Sequence, residues 1–182
     1  TQFISHGFIS SGHSIFKGVT KQRPGTVIQF KLGSQGWSKA QESTYWNCLP
    51  VGGKFTVKNR QKCIDDLDDL LSSAVQEQLV ADVPVGAFLS GGIDSSLIVS
   101  MMNRASSSQI NTFSIGFEDK EYNEAEHAKA IAEHIGTSHE TLYVDDKSIM
   151  EVIPQLPKIY DEPLADMSQL PTYLVSQLAR QH

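Results

Sequence analysis

The order of strand, loop and helix in this chain is set by the stretch Pro84-Val85-Gly86-Ala87-Phe88-Leu89-Ser90-Gly91-Gly92-Ile93-Asp94-Ser95-Ser96. Its apolar half stops at a Ser-Gly-Gly turn, and an apolar pattern with helical spacing resumes from Leu97 to Met102. This change of pattern predicts a strand, a tight loop and a helix. The two glycines are expected to adopt dihedral angles closed to other residues, and Ser95 or Ser96 is predicted to be the helix N-cap.

The same loop carries the groups expected of an anion-binding site. Backbone N–H groups at a glycine-rich helix N-terminus point donors at a phosphate. Hydroxyl and carboxylate groups crowd the glycines: Ser90, Asp94, Ser95 and Ser96. A carboxylate beside a polyphosphate indicates a hard cation such as Mg²⁺ between them. The alternative is an ordinary strand-to-helix turn, which this crowding of polar groups disfavours. No lysine follows where a Walker motif requires one.

The segment 90–95 resembles the Ser-Gly-Gly-x-Asp-Ser pyrophosphate loop of the ATP pyrophosphatase, or PP-loop, superfamily. Its members adenylylate a carboxylate or similar oxygen and release pyrophosphate. Within that superfamily, residues 82–96 resemble the synthetase domain of glutamine-dependent asparagine synthetases. Three further stretches resemble the same family, at 112–117, 160–163 and 171–173. The resemblance covers nearly all of the chain.

The resemblance implies a set of site residues. It implies backbone contacts to adenine from Leu89 and Ile115, a Mg²⁺-holding role for Asp94, and a place for Gly116 at the same edge of the site. Catalytic roles are expected for Asp94 and Glu162. The cradle for the β- and γ-phosphates is expected to comprise Ser90, Gly91, Gly92, Ser95 and Ser96.

Glu162 belongs to an acidic loop at 161–169, which holds three carboxylates and a hydroxyl ahead of a helix predicted from Thr172. A solvated loop is the alternative interpretation. The resemblance favours an active-site position for the loop, where it would position Mg²⁺ or an amine, and leaves the division of these roles open.

Two other kinds of site are disfavoured by spacing. His127 and His134 are seven residues apart on one predicted helix, roughly 10 Å along its axis, which is too far for both to hold one zinc ion without other ligands. Ser95 as a nucleophile lacks the Gly-x-Ser-x-Gly elbow and a histidine placed as its base. Binding of phosphate and Mg²⁺ explains the same hydroxyl and carboxylate groups with fewer assumptions.

Composition narrows the class of protein. The chain has 182 residues, of which 40% are hydrophobic and 20% charged, as in globular proteins. A formal net charge of −6 argues against nucleic-acid and membrane partners, which select basic surfaces. The two cysteines, Cys48 and Cys63, have no metal-site or disulfide spacing, and we expect a cytoplasmic protein. The chain starts at Thr1 rather than Met and stops at His182 in a helical pattern, so we expect part of a longer protein.

The first sixty residues predict β-structure followed by a linker. Strands are predicted at 14–19 and 26–32, on either side of a Pro24-Gly25 turn. The polar, weakly periodic residues from about 33 to 60 suit a linker, with a domain boundary near Trp46. The resemblance divides the chain into the tail of an Ntn-type glutaminase domain (1–46), a linker (47–60) and the first part of an ATP-binding synthetase domain (61–182).

The rest of the chain alternates between helix and strand. An amphipathic helix is predicted from Lys62 to Val80, strands at 110–117 and 139–144, and a helix that begins with a capping box at Asn123 and ends at Gly136. The order β-α-β-α-β predicts an α/β fold, a parallel sheet with helices on both faces, similar to the adenine nucleotide alpha-hydrolases. Ligands of such sheets bind beyond the carboxyl ends of the strands.

The function expected from the resemblance is that of an ATP-dependent amidotransferase, a glutamine-hydrolysing asparagine synthase. ATP with Mg²⁺ would adenylylate an aspartate-like carboxylate, and glutamine-derived ammonia would attack the acyl-adenylate. The alternatives are a β-lactam-forming or surface-polysaccharide relative with another acceptor, and a nucleotide-binding module without turnover. Assembly into a homo-oligomer is compatible with this expectation. The glutaminase cysteine is not at position 1, and a second nucleotide loop is expected past His182, so the 182 residues alone are expected to be inactive.

Overall fold

A computed structural model of the chain describes residues 2–48, 59–117 and 123–182. These residues form two compact units. The first comprises 2–48 and 156–166, and the second comprises 59–117, 123–155 and 167–182. The linker predicted at 47–60 falls mostly on 49–58, which lie outside the described residues.

The first unit contains an antiparallel hairpin of β1 (Thr26–Gly33) and β2 (Gly36–Thr44), with two short helices, α1 (Gln2–His6) and α6 (Leu156–Ile159). The prediction of β1 is confirmed. The interpretation of residues from 33 onward as a linker is wrong for β2, whose register pairs Gly33 with Gly36 across a two-residue turn. Every residue of β2 is exposed, so this strand pairs through its backbone and needs no apolar alternation.

The strand predicted at 14–19 is also wrong. Gly18 has a φ of +80°, and the N–H of Val19 donates to the carbonyl of Phe16 at 3.3 Å. A left-handed residue followed by this short-range hydrogen bond turns the chain instead of extending it. The apolar residues of this segment are exposed, as Phe16 and Val19 illustrate.

The second unit is a three-stranded parallel sheet flanked by helices. The strands pair in the order β3-β4-β5, so the predicted β-α-β-α-β order and the α/β fold class are confirmed. No helix in the described ranges is long and apolar enough to cross a bilayer. In chain order the elements are α2 (Arg60–Gln78), β3 (Gly86–Phe88), α3 (Ile93–Ala105), β4 (Asn111–Phe117), α4 (Ala125–Ile135), β5 (Ser138–Val144), α5 (Asp146–Val152), a 3₁₀ turn (Ile153–Gln155) and α7 (Gln169–Ala179).

The ends of these helices refine the predicted boundaries. Gly136 is left-handed at φ +87°, and its N–H donates to the carbonyl of Ala132 at 2.8 Å, which ends α4 as predicted. At the other end the backbone places the N-cap at Glu124, one residue after the predicted Asn123, and Glu124 makes no side-chain cap bond. The Asn123 side chain still accepts from the N–H of Ala125 at 3.1 Å, which satisfies one free donor of the first turn.

Helix α7 starts three residues before the predicted start at Thr172. The first turn of a helix tolerates Pro171, since the N–H groups there have no intrahelical partner. The helix ends at Ala179, where the N–H of Gln181 donates to Leu178 in a tighter turn, so the helical pattern does not run on to His182.

Small residues set the distance between α4 and the sheet. Ala125, Ala128 and Ala132 are at most 1% exposed, and a Cβ on Gly116 of β4 would lie 3.2 Å from the Cβ of Ala125. Because side chains alternate along a strand, Thr112, Ser114 and Gly116 share this face of β4. The core under α4 also holds Leu89 and Val99.

The opposite face of the sheet carries Phe113, whose ring centroid lies 5.9 Å from that of His182, just beyond α7. Helix α7 contacts β4 and buries Leu170, Leu174 and Val175. Helices thus cover both faces. Beside the sheet, Val75 of α2 packs with Met101, Met102 and Ile110 in a separate core cluster.

The packing of α4 gives a stability prediction. Ala132 is fully buried whereas Ala130 is exposed on the same helix, so the two positions form a matched pair. We expect Ala132→Leu to lower the free energy of unfolding by about 1–3 kcal/mol, since extra methylenes have no space there. Ala130→Leu should change it by less than about 0.5 kcal/mol. Urea denaturation measures both, and equal effects of the two variants would contradict the close packing of α4.

Candidate functional site

The loop between β3 and α3 is braced by its own serines. The Oγ atoms of Ser90 and Ser95 lie 3.1 Å apart, and Ser90 Oγ accepts from the N–H of Gly92 at 3.3 Å. Ser95 Oγ accepts from the N–H of Ser90 at 3.3 Å and donates to the Gly92 carbonyl at 3.2 Å. Ser96 Oγ donates to the same carbonyl at 2.6 Å. These short-range bonds hold the loop in one shape.

The N-cap of α3 is Gly92, so the prediction that Ser95 or Ser96 caps this helix is wrong. Gly92 has extended dihedral angles (φ −75°, ψ 164°) and makes no side-chain cap bond. The two serines lie one turn further on, where helical side chains point back toward the N-terminus and reach the Gly92 carbonyl. The first N–H groups of α3 therefore have no side-chain cap, which leaves the partial positive charge of this helix end open to an anion.

Only one of the two glycines needs its special conformation. Gly91 has a φ of +83°, and a Cβ there would lie 3.0 Å from the backbone N of Ala128 and from the Cβ of His127. At φ −75° Gly92 has a conformation open to any residue, so the expectation of unusual dihedral angles is wrong for it. Gly91 turns the loop back against the start of α4.

Asp94 lies in the first turn of α3 with an exposed side chain. Within the described parts of the chain its carboxylate has no hydrogen bond and no ion pair. A carboxylate in this turn is favoured by the helix dipole. Because its carboxylate accepts no backbone hydrogen bond from the described residues, Asp94 does not cap the helix. It lies exposed to solvent at the start of α3, directly after the serine loop.

A pocket of about 250 Å³ opens at the carboxyl edge of the sheet. Three of the residues predicted for the site line it: Leu89 and Ser90 after β3, and Ile115 on β4. Its other walls come from β3, β4, the start of α4 and α7: Phe88, Phe113, Ser114, Phe117, Glu124, Ala128, Pro171, Thr172 and Val175. The predicted edge of the sheet thus holds a real concavity.

The remaining loop residues lie beside this pocket and do not line it. They are Gly91, Gly92, Asp94, Ser95 and Ser96. Ser95 instead contributes to an apolar pocket of about 510 Å³ between α2, β3 and α3. Gly116 is buried under the ring of Tyr143, whose Cε1 would lie 2.5 Å from a Cβ on that glycine. The glycine therefore serves the packing of β5 against β4, next to Ile115.

Glu162 belongs to the first unit. Its carboxylate forms an ion pair with Lys21 and accepts a hydrogen bond from the N–H of Ile15 at 3.3 Å. The Lys21 ammonium is the main reason that the pKa of Glu162 lies below its ordinary value. In the same unit, the N–H of Ala165 donates to the carbonyl of Gly7 at 2.8 Å, so both Glu162 and Ala165 connect the acidic loop to the N-terminal segment.

Several pocket residues were missed by sequence reasoning. Pro171, Thr172 and Val175 lie at least 75 positions after the 90–96 loop, and sequence reasoning provided for their segment only a predicted helix and a resemblance to the family. Ser114 had one available signal, since a hydroxyl residue in the middle of a buried strand is unusual and calls for a partner.

The partner of Ser114 is a polar cluster beneath α4. His139 Nδ1 lies 2.9 Å from Thr112 Oγ1, and His139 Nε2 lies 3.2 Å from Ser114 Oγ and 3.3 Å from Thr141 Oγ1. Burial, with a smaller contribution from the Lys129 charge, lowers the pKa of His139 below its ordinary value. The ring is therefore neutral at pH 7 and bridges two hydroxyl groups of β4.

A parallel sheet with a serine- and glycine-rich loop after its first strand and a pocket at its carboxyl edge is an α/β nucleotide-binding type of domain. Within that class the sequence comparison is specific. The model of the asparagine synthase family matches residues 66–182, and the chain belongs to that family.

Two relatives resemble nearly the whole chain. A putative asparagine synthetase [glutamine-hydrolyzing] 2 of Methanocaldococcus jannaschii is 37% identical over 179 residues, which are 98% of this chain and 33% of the relative. Asparagine synthetase [glutamine-hydrolyzing] 1 of Bacillus subtilis is 31% identical over 181 residues, which are 100% of this chain and 27% of the relative. The chain thus spans a third or less of the length of these curated relatives.

Among solved structures, an NH3-dependent NAD synthetase from Campylobacter jejuni in complex with the nitrate ion has a TM-score of 0.44 to this chain. The match covers 64% of this chain and 52% of the other, at 15% sequence identity.

The two adjacent glycines give a matched test of the loop. We expect Gly91→Ala to lower the free energy of unfolding by more than about 1 kcal/mol, because its φ is left-handed and its Cβ would press on the backbone of α4. Gly92→Ala should stay within about 0.5 kcal/mol of the wild type, since its backbone angles suit alanine. Chemical denaturation of the two variants measures the difference. A Gly92 variant as unstable as the Gly91 variant would contradict this loop geometry.

The neutral state of His139 gives a pH prediction. Because the folded state lowers the pKa of this group, the unfolded state binds more protons as the pH falls below about 6.5. The stabilisation is complete above that pH and is lost on acidification. We expect the free energy of unfolding to fall less between pH 7 and 5 in His139→Gln than in the wild type. His134→Gln, a change of an exposed histidine on α4, should keep the wild-type slope, and an unchanged slope in His139→Gln would refute the assignment.

Proposed function

We propose that the full-length protein is an ATP-dependent amidotransferase of the glutamine-hydrolysing asparagine synthase type. The observation that carries the proposal is the 90–96 loop, where hydroxyl groups and an uncapped helix N-terminus adjoin a pocket at the carboxyl edge of the sheet. Membership of the asparagine synthase family supports the choice of reaction. The division into a glutaminase tail (1–46), a linker (47–60) and a synthetase part (61–182), and the expected cytoplasmic location, belong to the same proposal.

The phosphate end of the nucleotide would bind at the serine loop. We propose that the first N–H groups of α3 and the Ser90, Ser95 and Ser96 hydroxyls hold the β- and γ-phosphates. Gly91 would contribute the left-handed turn of the loop, and Gly92 would contribute its backbone at the start of α3. The loop is already ordered by its own hydrogen bonds, so little further ordering is required when an anion binds. The Ser95 and Ser96 hydroxyl hydrogens are donated to the Gly92 carbonyl, so each serine would exchange that bond for one to a phosphate oxygen.

The adenine end would occupy the pocket. The N–H of Leu89 is already used, since it donates to the carbonyl of Phe113 at 2.8 Å. Its carbonyl is therefore the group that we propose accepts from the adenine amine. Ile115 supplies the facing backbone on β4, with Gly116 next to it, and the apolar side chains of the pocket suit a flat ring.

Asp94 is the residue proposed to hold Mg²⁺. Among residues 2–48, 59–117 and 123–182 no group of three or more His, Cys, Asp and Glu side chains could form a metal cage. Mg²⁺ that arrives with a nucleotide needs only one or two carboxylates, because phosphates and water fill its other positions. The Asp94 carboxylate, which is exposed and has no partner among the residues that the structure describes, fits this requirement. Bound there, the cation would supply charge neutralisation on the phosphates.

The reaction would then require positioning more than acid–base chemistry. An oxygen of the substrate carboxylate attacks the α-phosphorus, and the bond from that phosphorus to the oxygen bridging to the β-phosphate breaks. The donors of the serine loop and the helix N-terminus stabilise the charge of the departing pyrophosphate. Ammonia then attacks the acyl carbon and AMP leaves.

Glu162 stays a prediction as a catalytic residue. Its carboxylate is occupied by Lys21 and the N–H of Ile15, so it could act on a substrate only after release from that ion pair. The 182 residues alone are expected to form no asparagine from glutamine, and detectable glutamine-dependent product from them would refute that expectation.

The proposal is tested by pyrophosphate release from the full-length protein with ATP and a series of acids. Release that depends on aspartate together with glutamine supports asparagine synthesis. Release with another acid and not with aspartate would replace the acceptor, as in a β-lactam-forming or surface-polysaccharide relative. Binding of ATP without release under any condition would indicate a nucleotide-binding module.

Asp94→Asn separates a metal role from a structural one. We expect this variant of the full-length protein to lose pyrophosphate release by at least about a hundred-fold, because an amide is a poor ligand for a hard cation. The lost interaction with the helix dipole accounts for only about 0.3–1 kcal/mol of stability. Melting should therefore change little.

The control for this experiment is Asp146→Asn, which removes an exposed carboxylate from the first turn of α5. That variant is expected to keep wild-type release. Release by Asp94→Asn within about three-fold of the wild type, with unchanged melting, would mean that Asp94 does not hold the cation.

A further inference from the structure

The face of β4 under α4 is polar where an apolar face is the norm. Thr112 is 0% exposed and Ser114 5% exposed, although strands of a covered parallel sheet are usually rich in Val, Ile and Leu. A buried hydroxyl without a partner destabilises a fold, so these residues require one. Every buried polar side-chain atom in the described residues has a partner, and for this pair the shared partner is His139.

The His139 ring is held at both ends. Its Nδ1 faces Thr112 Oγ1 at 2.9 Å, and its Nε2 faces Ser114 Oγ at 3.2 Å. Thr112 Oγ1 is further bonded to Thr137 Oγ1 at 2.9 Å, and Ser114 Oγ to Thr141 Oγ1 at 3.0 Å. A neutral imidazole has one donor and one acceptor nitrogen, and a hydroxyl can serve either. The arrangement therefore fixes the ring without charging it.

The two hydroxyls differ in what lies beyond them. Ser114 lines the pocket together with Leu89, Ser90 and Ile115, whereas Thr112 is fully buried and does not reach the pocket. The Nε2 bond thus ends at the pocket wall, and the Nδ1 bond ends in the interior of the domain. The His139 ring therefore connects Thr112 in the interior of the domain to Ser114 in the pocket wall.

We propose that His139 is a positioning residue for the nucleotide site, which acts by holding Ser114 and the β4 wall through its Nε2 bond. This inference rests on the proposed function, since it takes the pocket as the adenine end of the site. His139 itself does not line the pocket, so its effect must pass through Ser114. Loss of the Nε2 bond is expected to weaken nucleotide binding and to lower stability. Loss of the Nδ1 bond is expected to lower stability only.

The test compares three variants of the full-length protein. The amide of Gln reaches about as far as Nε2 and that of Asn about as far as Nδ1, so His139→Gln can keep the bond to Ser114 and His139→Asn the bond to Thr112. His139→Leu keeps neither. We expect the KM for ATP to rise about three- to ten-fold in the Asn and Leu variants, which corresponds to one lost hydrogen bond, and to stay within about two-fold in the Gln variant. The kcat values should change less than KM.

Melting temperature and calorimetric binding of ATP with Mg²⁺ complete the experiment. Gln loses the Nδ1 contact to Thr112, whereas Asn loses the Nε2 contacts to Ser114 and Thr141. A purely structural role therefore predicts that any rise in KM follows the fall in melting temperature across the variants. Equal KM values in these two variants, or a wild-type KM in His139→Leu, would overturn the inference. His134→Gln is the matched control and should leave KM unchanged.

The calorimetric measurement also separates the two proposals. A wild-type protein that binds no ATP overturns the proposed function and this inference with it. A wild-type protein that binds ATP, with a Leu variant that binds equally well, overturns the role of His139 alone.

Discussion

The close approach of α4 to the sheet and to the serine loop is the constraint on which the second unit depends. Three alanines of α4 are buried, Gly116 leaves no Cβ beneath the helix start, and Gly91 brings the loop so near α4 that a Cβ there would lie 3.0 Å from the backbone N of Ala128. A methyl group at Gly91 would meet the backbone of α4, and one at Gly116 would meet the Tyr143 ring and the Cβ of Ala125. This contact places the loop and the start of α4 side by side. The start of α4 therefore both packs against the serine loop and forms one wall of the pocket.

The second support is the polar cluster around His139. It lies on the same face of β4 as Gly116, and its hydrogen bonds tie β4 to β5 beside the backbone ladder. Buried polar groups that are fully paired specify one arrangement more strictly than apolar packing, because each misplaced bond leaves an unsatisfied group. The pocket walls are thus held by two kinds of interaction, the close packing of α4 on the sheet and the hydrogen bonds of His139.

The first unit is organised differently. Its hairpin exposes Phe30, Leu32 and Trp37. Two of its tertiary contacts join the N-terminal segment to residues 162–165, the Lys21–Glu162 ion pair and a backbone bond at Gly7. These contacts lie 141 and 158 positions apart along the chain. No local pattern could have predicted them, since charges and carbonyl groups of this kind occur throughout the sequence.

The sequence by itself determined the parallel α/β unit, the strand-loop-helix at 84–105 and the family, because hydrophobic period and glycine placement are local properties that survive without knowledge of neighbours. It failed at β2, whose two exposed faces impose no apolar period, and at 14–19, where Gly18 turns the chain. Only the tertiary structure decided that Gly92 caps α3, that Pro171 and Thr172 stand at the pocket, and that His139 bridges Thr112 and Ser114. The cap at Gly92 depends on the direction in which the nearby Ser95 and Ser96 side chains point. The pocket wall and the His139 cluster depend on which side chains meet across distant segments, and one-dimensional spacing does not contain that information.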